Sequence, residues 1–165
     1  MNQRNKVIEL ATAEIGYIEE PTNKTKYQKT AQPWCGAFVN FIFKKAEVAI
    51  PNCVSTQAGA LAFKKIDKFQ EAASATPEVG DLAFFDFPND NLDRISHIGI
   101  VVKDNGDGTV TCIEGNTSSD VKGNQRNGGE VCLKIRAYKV KNRGKLKPSL
   151  PVFVVGFGKP TFKEQ

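Results

Sequence analysis

One histidine, one tryptophan and one methionine occur in 165 residues. With a single imidazole and no Cys-x-x-Cys pair, the ligand spacing of a structural zinc site is missing. The opening Met1-Asn2-Gln3-Arg4-Asn5-Lys6 is polar and runs straight into a helical pattern. It lacks the apolar core of a secretory leader, so export by such a leader is not expected. The longest clean apolar stretch, Ala58 to Phe63, contains Gly59 and falls far short of the roughly 20 residues that span a bilayer, so no membrane insertion is expected. Ser96 is not framed by Gly-x-Ser-x-Gly, which argues against the strand-to-helix elbow of a serine hydrolase. Internal repeats, low-complexity segments and linkers are also missing, and residues 1–165 read as one domain with no second module.

What is present suits one ordinary core. A hydrophobic content of 40% with 25% charged residues excludes disordered and fibrous chains. The net charge of +5 favours anionic partners. Its lysines are dispersed (Lys44/Lys45, Lys64/Lys65, Lys139 to Lys147), which reads as a solvated face; no nucleic-acid partner is expected, and the chain is expected to be a monomer. Cys35, Cys53, Cys112 and Cys132 lie far apart and read as free thiols.

The first half is helical in period. Val7, Leu10, Ala11, Glu14 and Ile15 place a stripe on a helix over about 3–15, ended by Gly16. Residues 18–32 read as loop, with a possible helical turn from Thr25 to Thr30. A buried helix begins at Cys35, with Phe38, Ile42 and Ala46 on the same face. A shorter one over 56–68 is capped by Ser55 and turns Leu61, Ala62 and Ile66 inward. From Pro77 the period becomes two. Strands are expected at Asp81–Phe87, His97–Lys103, Val110–Glu114, Val131–Tyr138 and Val152–Phe157, forming an antiparallel sheet. Helices followed by strands predict an α+β domain whose sheet packs one face on the leading helices.

Within this frame three features could carry chemistry. Cys35 stands at a helix start, where unpaired N–H groups and the positive dipole end favour a thiolate; its bland reading is a small buried residue. His97 heads an apolar strand, where a side chain can meet a cleft. Glu114 and Asn116 share a strand face if extension continues through Gly115, so both could address one imidazole and fix its tautomer; otherwise they are edge and turn residues. Cys112 is the rival thiol, but a mid-strand position gives it no helix dipole. Asp104-Asn105-Gly106-Asp107-Gly108-Thr109 has glycine where a calcium loop needs side-chain oxygens, and it reads as a hairpin turn.

These residues resemble a CHAP domain (cysteine, histidine-dependent amidohydrolase/peptidase), especially the catalytic modules of bacteriophage endolysins. The similarity lies in Pro33-Trp34-Cys35-Gly36-Ala37-Phe38-Val39, Val79-Gly80-Asp81-Leu82-Ala83-Phe84-Phe85, Ser96-His97-Ile98-Gly99-Ile100-Val101 and Ile113-Glu114-Gly115-Asn116-Thr117-Ser118, in the family's order. The resemblance implies a papain-like/NlpC-like fold and a peptidoglycan hydrolase, either an N-acetylmuramoyl-L-alanine amidase or an endopeptidase. In it Cys35 is the nucleophile, His97 the base, and Glu114 with Asn116 the orienting groups. An oxyanion donor from the preceding loop is either Gln28 or Gln32. NlpC-type peptidases and a silent basic wall-binding module are the alternatives; the Glu-x-Asn after His97 favours the CHAP branch. Some relatives bind calcium before the cysteine, where only Glu19 and Glu20 offer carboxylates, so chelator-insensitive activity without a cofactor is expected. The family also implies a lysin held in the host bacterial cytoplasm before acting at the wall.

Overall fold

The computed structural model describes residues 2–88, 94–139 and 151–163. Among these, helices α1 (Gln3–Ala13), α2 (Cys35–Lys45) and α3 (Thr56–Lys65) precede strands β1 (Phe69–Glu71), β2 (Leu82–Phe85), β3 (His97–Asp104), β4 (Thr109–Thr117), β5 (Glu130–Ala137) and β6 (Val154–Gly158). The strands form one antiparallel sheet in the order β1-β6-β2-β3-β4-β5. The architecture is the expected α+β arrangement. No helix of the described residues is long and apolar enough to cross a membrane.

The sheet buries both faces. Leu82, Phe84, Ile98, Ile100 and Ile113 pack against α1 and α2, while Ala83, Phe85, Val101, Cys112 and Phe157 gather on the other side. An isolated parallel bridge from Ala137 to Val152 brings the end of β5 to the segment before β6, so the sheet curls around this second cluster. The β3–β4 connection is the expected hairpin, with Gly106 and Gly108 at φ 75° and 84°.

α2 is the central helix. Phe38, Val39, Ile42 and Phe43 are fully buried, each worth roughly 1.5–3 kcal/mol in apolar area removed from water. Its start is fixed from two sides. Upstream, Trp34 stacks on Tyr27 at 5.3 Å and its indole N–H donates to Glu19 at 2.6 Å. Downstream, Asn40 accepts from Cys53 N at 3.0 Å and donates to Asn52 at 2.8 Å.

Gly36 allows the closest approach here, because a Cβ at this position would stand 1.7 Å from the Cys53 carbonyl oxygen. We expect Gly36→Ala to destabilise by about 1–3 kcal/mol, outweighing the ~1 kcal/mol propensity gain of alanine in a helix. Urea denaturation of the two proteins checks this.

Several local expectations are corrected. α1 ends at Ala13, and Ile15 lies beyond it, 38% exposed. Ser55 does cap α3, accepting from Ala58 N. However, the buried face of α3 is Thr56, Gly59, Ala60 and Phe63, leaving Leu61 and Ile66 exposed and Ala62 half-buried. Phe63 fills the space over Gly158, where a Cβ would stand 2.9 Å from its ring. The segment Thr25–Thr30 is not helical but is closed by a Thr25–Gln28 bridge. β1 is an additional short edge strand. The expected lysine-rich stretch lies outside the described residues beyond Lys139.

Candidate active site

α2 brings Cys35 and β3 brings His97 to the same end of the sheet. Cys35 lines a cleft of about 290 Å³ with Gln32, Thr56, Ser96 and Arg126. The cleft walls are tied together: Thr56 donates from its hydroxyl to Ile95 O at 3.0 Å, and Ile95 N donates to Gln57 at 3.1 Å. The start of α3 therefore holds the segment entering β3, which sets where His97 begins.

His97 is fully buried beside the stacked pair Phe85 and Phe87, whose rings lie 5.3 and 5.7 Å from the imidazole. Its Nε2 meets Glu114 Oε2 at 3.0 Å. Nδ1 has no hydrogen-bond partner of ordinary geometry and is the ring nitrogen left for Cys35. Burial alone would depress the imidazole, but Cys35 and then the Glu114 carboxylate lift its pKa to about 9. Glu114 is fully buried as well. Burial would raise its carboxyl, but the Arg136 guanidinium, then His97, holds it down at about 2. The pair is thus charged on both sides at neutral pH.

These directions make stability depend on pH. A histidine whose folded pKa is raised from 6.5 to about 9 contributes stability that is full below 6.5 and lost as pH rises through 9. The Glu114 contribution is present above pH 4.5 and lost as pH falls through about 2. We expect the wild-type thermal midpoint to fall between pH 6.5 and 9, with His97→Asn flattening that slope. Calorimetry across this interval is the check.

Asn116 departs from the expected geometry. The sheet register shifts between Glu114 and Thr117, and Asn116 takes φ 55°, a left-handed conformation that asparagine tolerates better than most residues. β4 still runs to Thr117, but the register shift and the left-handed Asn116 break the regular alternation after Glu114. The Asn116 side chain donates to Asn127 at 2.8 Å and accepts from Gly129 N at 3.1 Å, clamping the β4–β5 loop.

Two residues that shape the site were not singled out in the sequence. Arg136, on β5, grips Glu114 with two hydrogen bonds of 2.7 and 2.5 Å. Gly99, two residues after His97, makes room for the carboxylate: a Cβ there would lie 2.8 Å from Glu114 Cγ. A glycine one pleat along from the histidine was the available signal. Of the two glutamines, Gln32 lines the cleft, whereas Gln28 Nε2 is spent on Gln32 O at 2.7 Å. Cys112 is buried inside the curl, where burial and then the Glu114 charge push its thiol well up.

Among the described residues no three His, Cys, Asp or Glu side chains converge, and Glu19 accepts from the Trp34 indole.

A helix-start thiol against an imidazole backed by a carboxylate, on helices packed over an antiparallel sheet, is the arrangement of a papain-like thiol hydrolase. A CHAP domain model matches residues 26–116. The chain belongs to the CHAP domain family, cysteine, histidine-dependent amidohydrolases and peptidases. Among solved structures it is similar to a lipoprotein-like protein of the NLP/P60 family from Staphylococcus aureus subsp. aureus Mu50, with a TM-score of 0.50 and 14% identity over 95% of this chain and 41% of that one. It is also similar to Ly7917, with a TM-score of 0.52 and 12% identity over 95% of this chain and 62% of that one. These likenesses establish the papain-like, NLP/P60-type fold, and the chain spans less than two thirds of either structure. No curated protein sequence matches it.

Proposed function

We propose that this chain is a peptidoglycan hydrolase of the phage endolysin type, cutting an amide bond of the bacterial wall through Cys35, His97 and Glu114 without a cofactor. The observation that carries the reading is the His97–Glu114 contact beside Cys35, which lines an open cleft. The imidazolium of His97 pairs with the Cys35 thiolate, which attacks the substrate carbonyl and forms a tetrahedral oxyanion. His97 then gives its proton to the leaving amine as the C–N bond breaks. A water molecule, deprotonated by His97, hydrolyses the thioester and frees the thiolate.

Glu114 keeps Nε2 occupied, so that Nδ1 serves Cys35. The first N–H groups of α2 have no carbonyl partner within the helix and supply one oxyanion donor. Gln32 is the side chain at the cleft best placed to supply a second, with Gln28 bracing it. Membership of the CHAP family supports amide hydrolysis, and peptidoglycan is the substrate class that the endolysin resemblance adds.

Purified walls and defined peptidoglycan test this reading. Falling turbidity with new peptide N-termini while the lactyl groups stay substituted indicates an endopeptidase, and a freed lactyl carboxyl together with an L-alanine N-terminus indicates an amidase. Intact walls and no released fragment contradict it.

A further inference from the structure

Arg136 lies inside the curl of the sheet, 9% exposed, and the steps above give it no part. Its Nε donates to Glu114 Oε1 at 2.7 Å and its Nη2 to Glu114 Oε2 at 2.5 Å, a two-pronged grip on one carboxylate. Nη2 also reaches Gln125 Oε1 at 3.3 Å. Glu114 Oε2 is the same oxygen that meets His97 Nε2. Both cations lie beside one pair of rings: the guanidinium carbon is 5.5 and 5.7 Å from Phe85 and Phe87, which also stand beside His97. Glu114 is therefore a carboxylate between two cations in a site closed to water.

A buried set of charges that sums to zero costs far less than one that does not. With Arg136 in place, the guanidinium neutralises Glu114, and the countercharge to the imidazolium must come from Cys35 as thiolate. With a neutral residue at 136, Glu114 and His97 balance each other, and a thiolate at Cys35 would leave one buried negative charge uncompensated. We propose that Arg136 is a positioning residue that neutralises Glu114, so that the positive charge of His97 is directed to the Cys35 thiolate.

This inference rests on the proposed Cys35–His97 pair. Other titratable groups lie near it, and Lys134 also interacts with Glu114 and Arg136 through its charge. Cys53, beside Cys35, and Cys112, beside Glu114, are held as thiols by burial. Half-buried Cys132 is also raised, chiefly by burial. Lys134, on the face of Arg136, donates instead to Ser118 O at 2.6 Å. Arg94 and Arg126 line the cleft together with Cys35.

The test is the pH profile of Cys35 alkylation by iodoacetamide, read by mass spectrometry of the Cys35 peptide in wild type, Arg136→Lys, Arg136→Met and the double variant Arg136→Met/Glu114→Gln. Wild type supplies the reference profile. Arg136→Met should move the midpoint up by about one pH unit or more, a loss of about tenfold in rate at pH 6. Arg136→Lys keeps the charge and should restore most of the rate.

The double variant is the sharper arm. Removing the carboxylate together with its partner leaves no uncompensated anion behind His97, so its midpoint should fall below that of Arg136→Met while staying above wild type, because Glu114 no longer supports the imidazolium; a merely structural role predicts a further rise. If Arg136→Met does not fold, Arg136→Gln takes its place in this comparison. An unchanged profile in folded Arg136→Met, or a double variant whose midpoint is no lower than that of the single neutral variant, overturns the role of Arg136 alone. A wild-type Cys35 that reacts only at the pH of an ordinary thiol overturns the Cys35–His97 pair as well.

Discussion

Replacing Cys35 by alanine or serine is expected to reduce wall hydrolysis to background, while Cys112→Ala retains most of it. Loss of the nucleophile in a hydrolase costs on the order of 10⁶ in kcat. Of the described thiols, Cys35 is the one that combines a helix N-terminus, a place in the cleft wall and a neighbouring imidazole. Cys53 is pushed up to about 12 by burial and by its proximity to Cys35. Cys112 is fully enclosed and faces the Glu114 carboxylate, whose charge opposes ionisation. The turbidity of purified walls, followed with each variant at equal concentration, separates these cases. Lysis by Cys35→Ala at more than a trace of the wild-type rate contradicts the assignment.

The second large effect is on stability. Glu114→Gln keeps the shape of the side chain but leaves the Arg136 guanidinium buried without its anion and weakens the partner of His97 Nε2. Breaking a buried pair by removing one charge costs about 3–5 kcal/mol, which for a chain of this size lowers the thermal midpoint on the order of ten degrees. Activity falls with it, because the imidazole loses the group that fixes its tautomer. Thermal unfolding of folded, purified Glu114→Gln measures the cost. A midpoint within two or three degrees of wild type would mean that the ion pair contributes little.

Cys35, His97 and Glu114 were legible because each sits where local chemistry leaves a mark: a thiol opening an apolar helix, an imidazole heading a strand, and a carboxylate on the next strand. The placement of Asn116 was not legible, because the period-two rule assumes an unbroken ladder. The register shift after Glu114 is set by the β4–β5 loop, which closes on Asn116 itself. Arg136 was hidden for a different reason. Hydrophobic alternation alone would turn Leu133 and Ile135 inward, yet both are about half exposed while Arg136 is buried. β5 is an edge strand beyond the helical cover, and a buried carboxylate on its neighbour decides which face turns in. A similar tertiary override governs α3, where Phe63 packs over Gly158 while Leu61 and Ile66 stay exposed. The helix-then-strand order and the antiparallel sheet needed no such information, since period and turn chemistry specify them locally.

The most direct test of the central claim is to titrate wall-lysing activity against alkylation of Cys35. Iodoacetamide is added in steps, modification is mapped by mass spectrometry, and residual lysis is measured at each step. The account predicts that activity falls in proportion to the modified fraction of Cys35 and extrapolates to zero at one equivalent on that residue. Walls digested at an undiminished rate with Cys35 fully alkylated would contradict it.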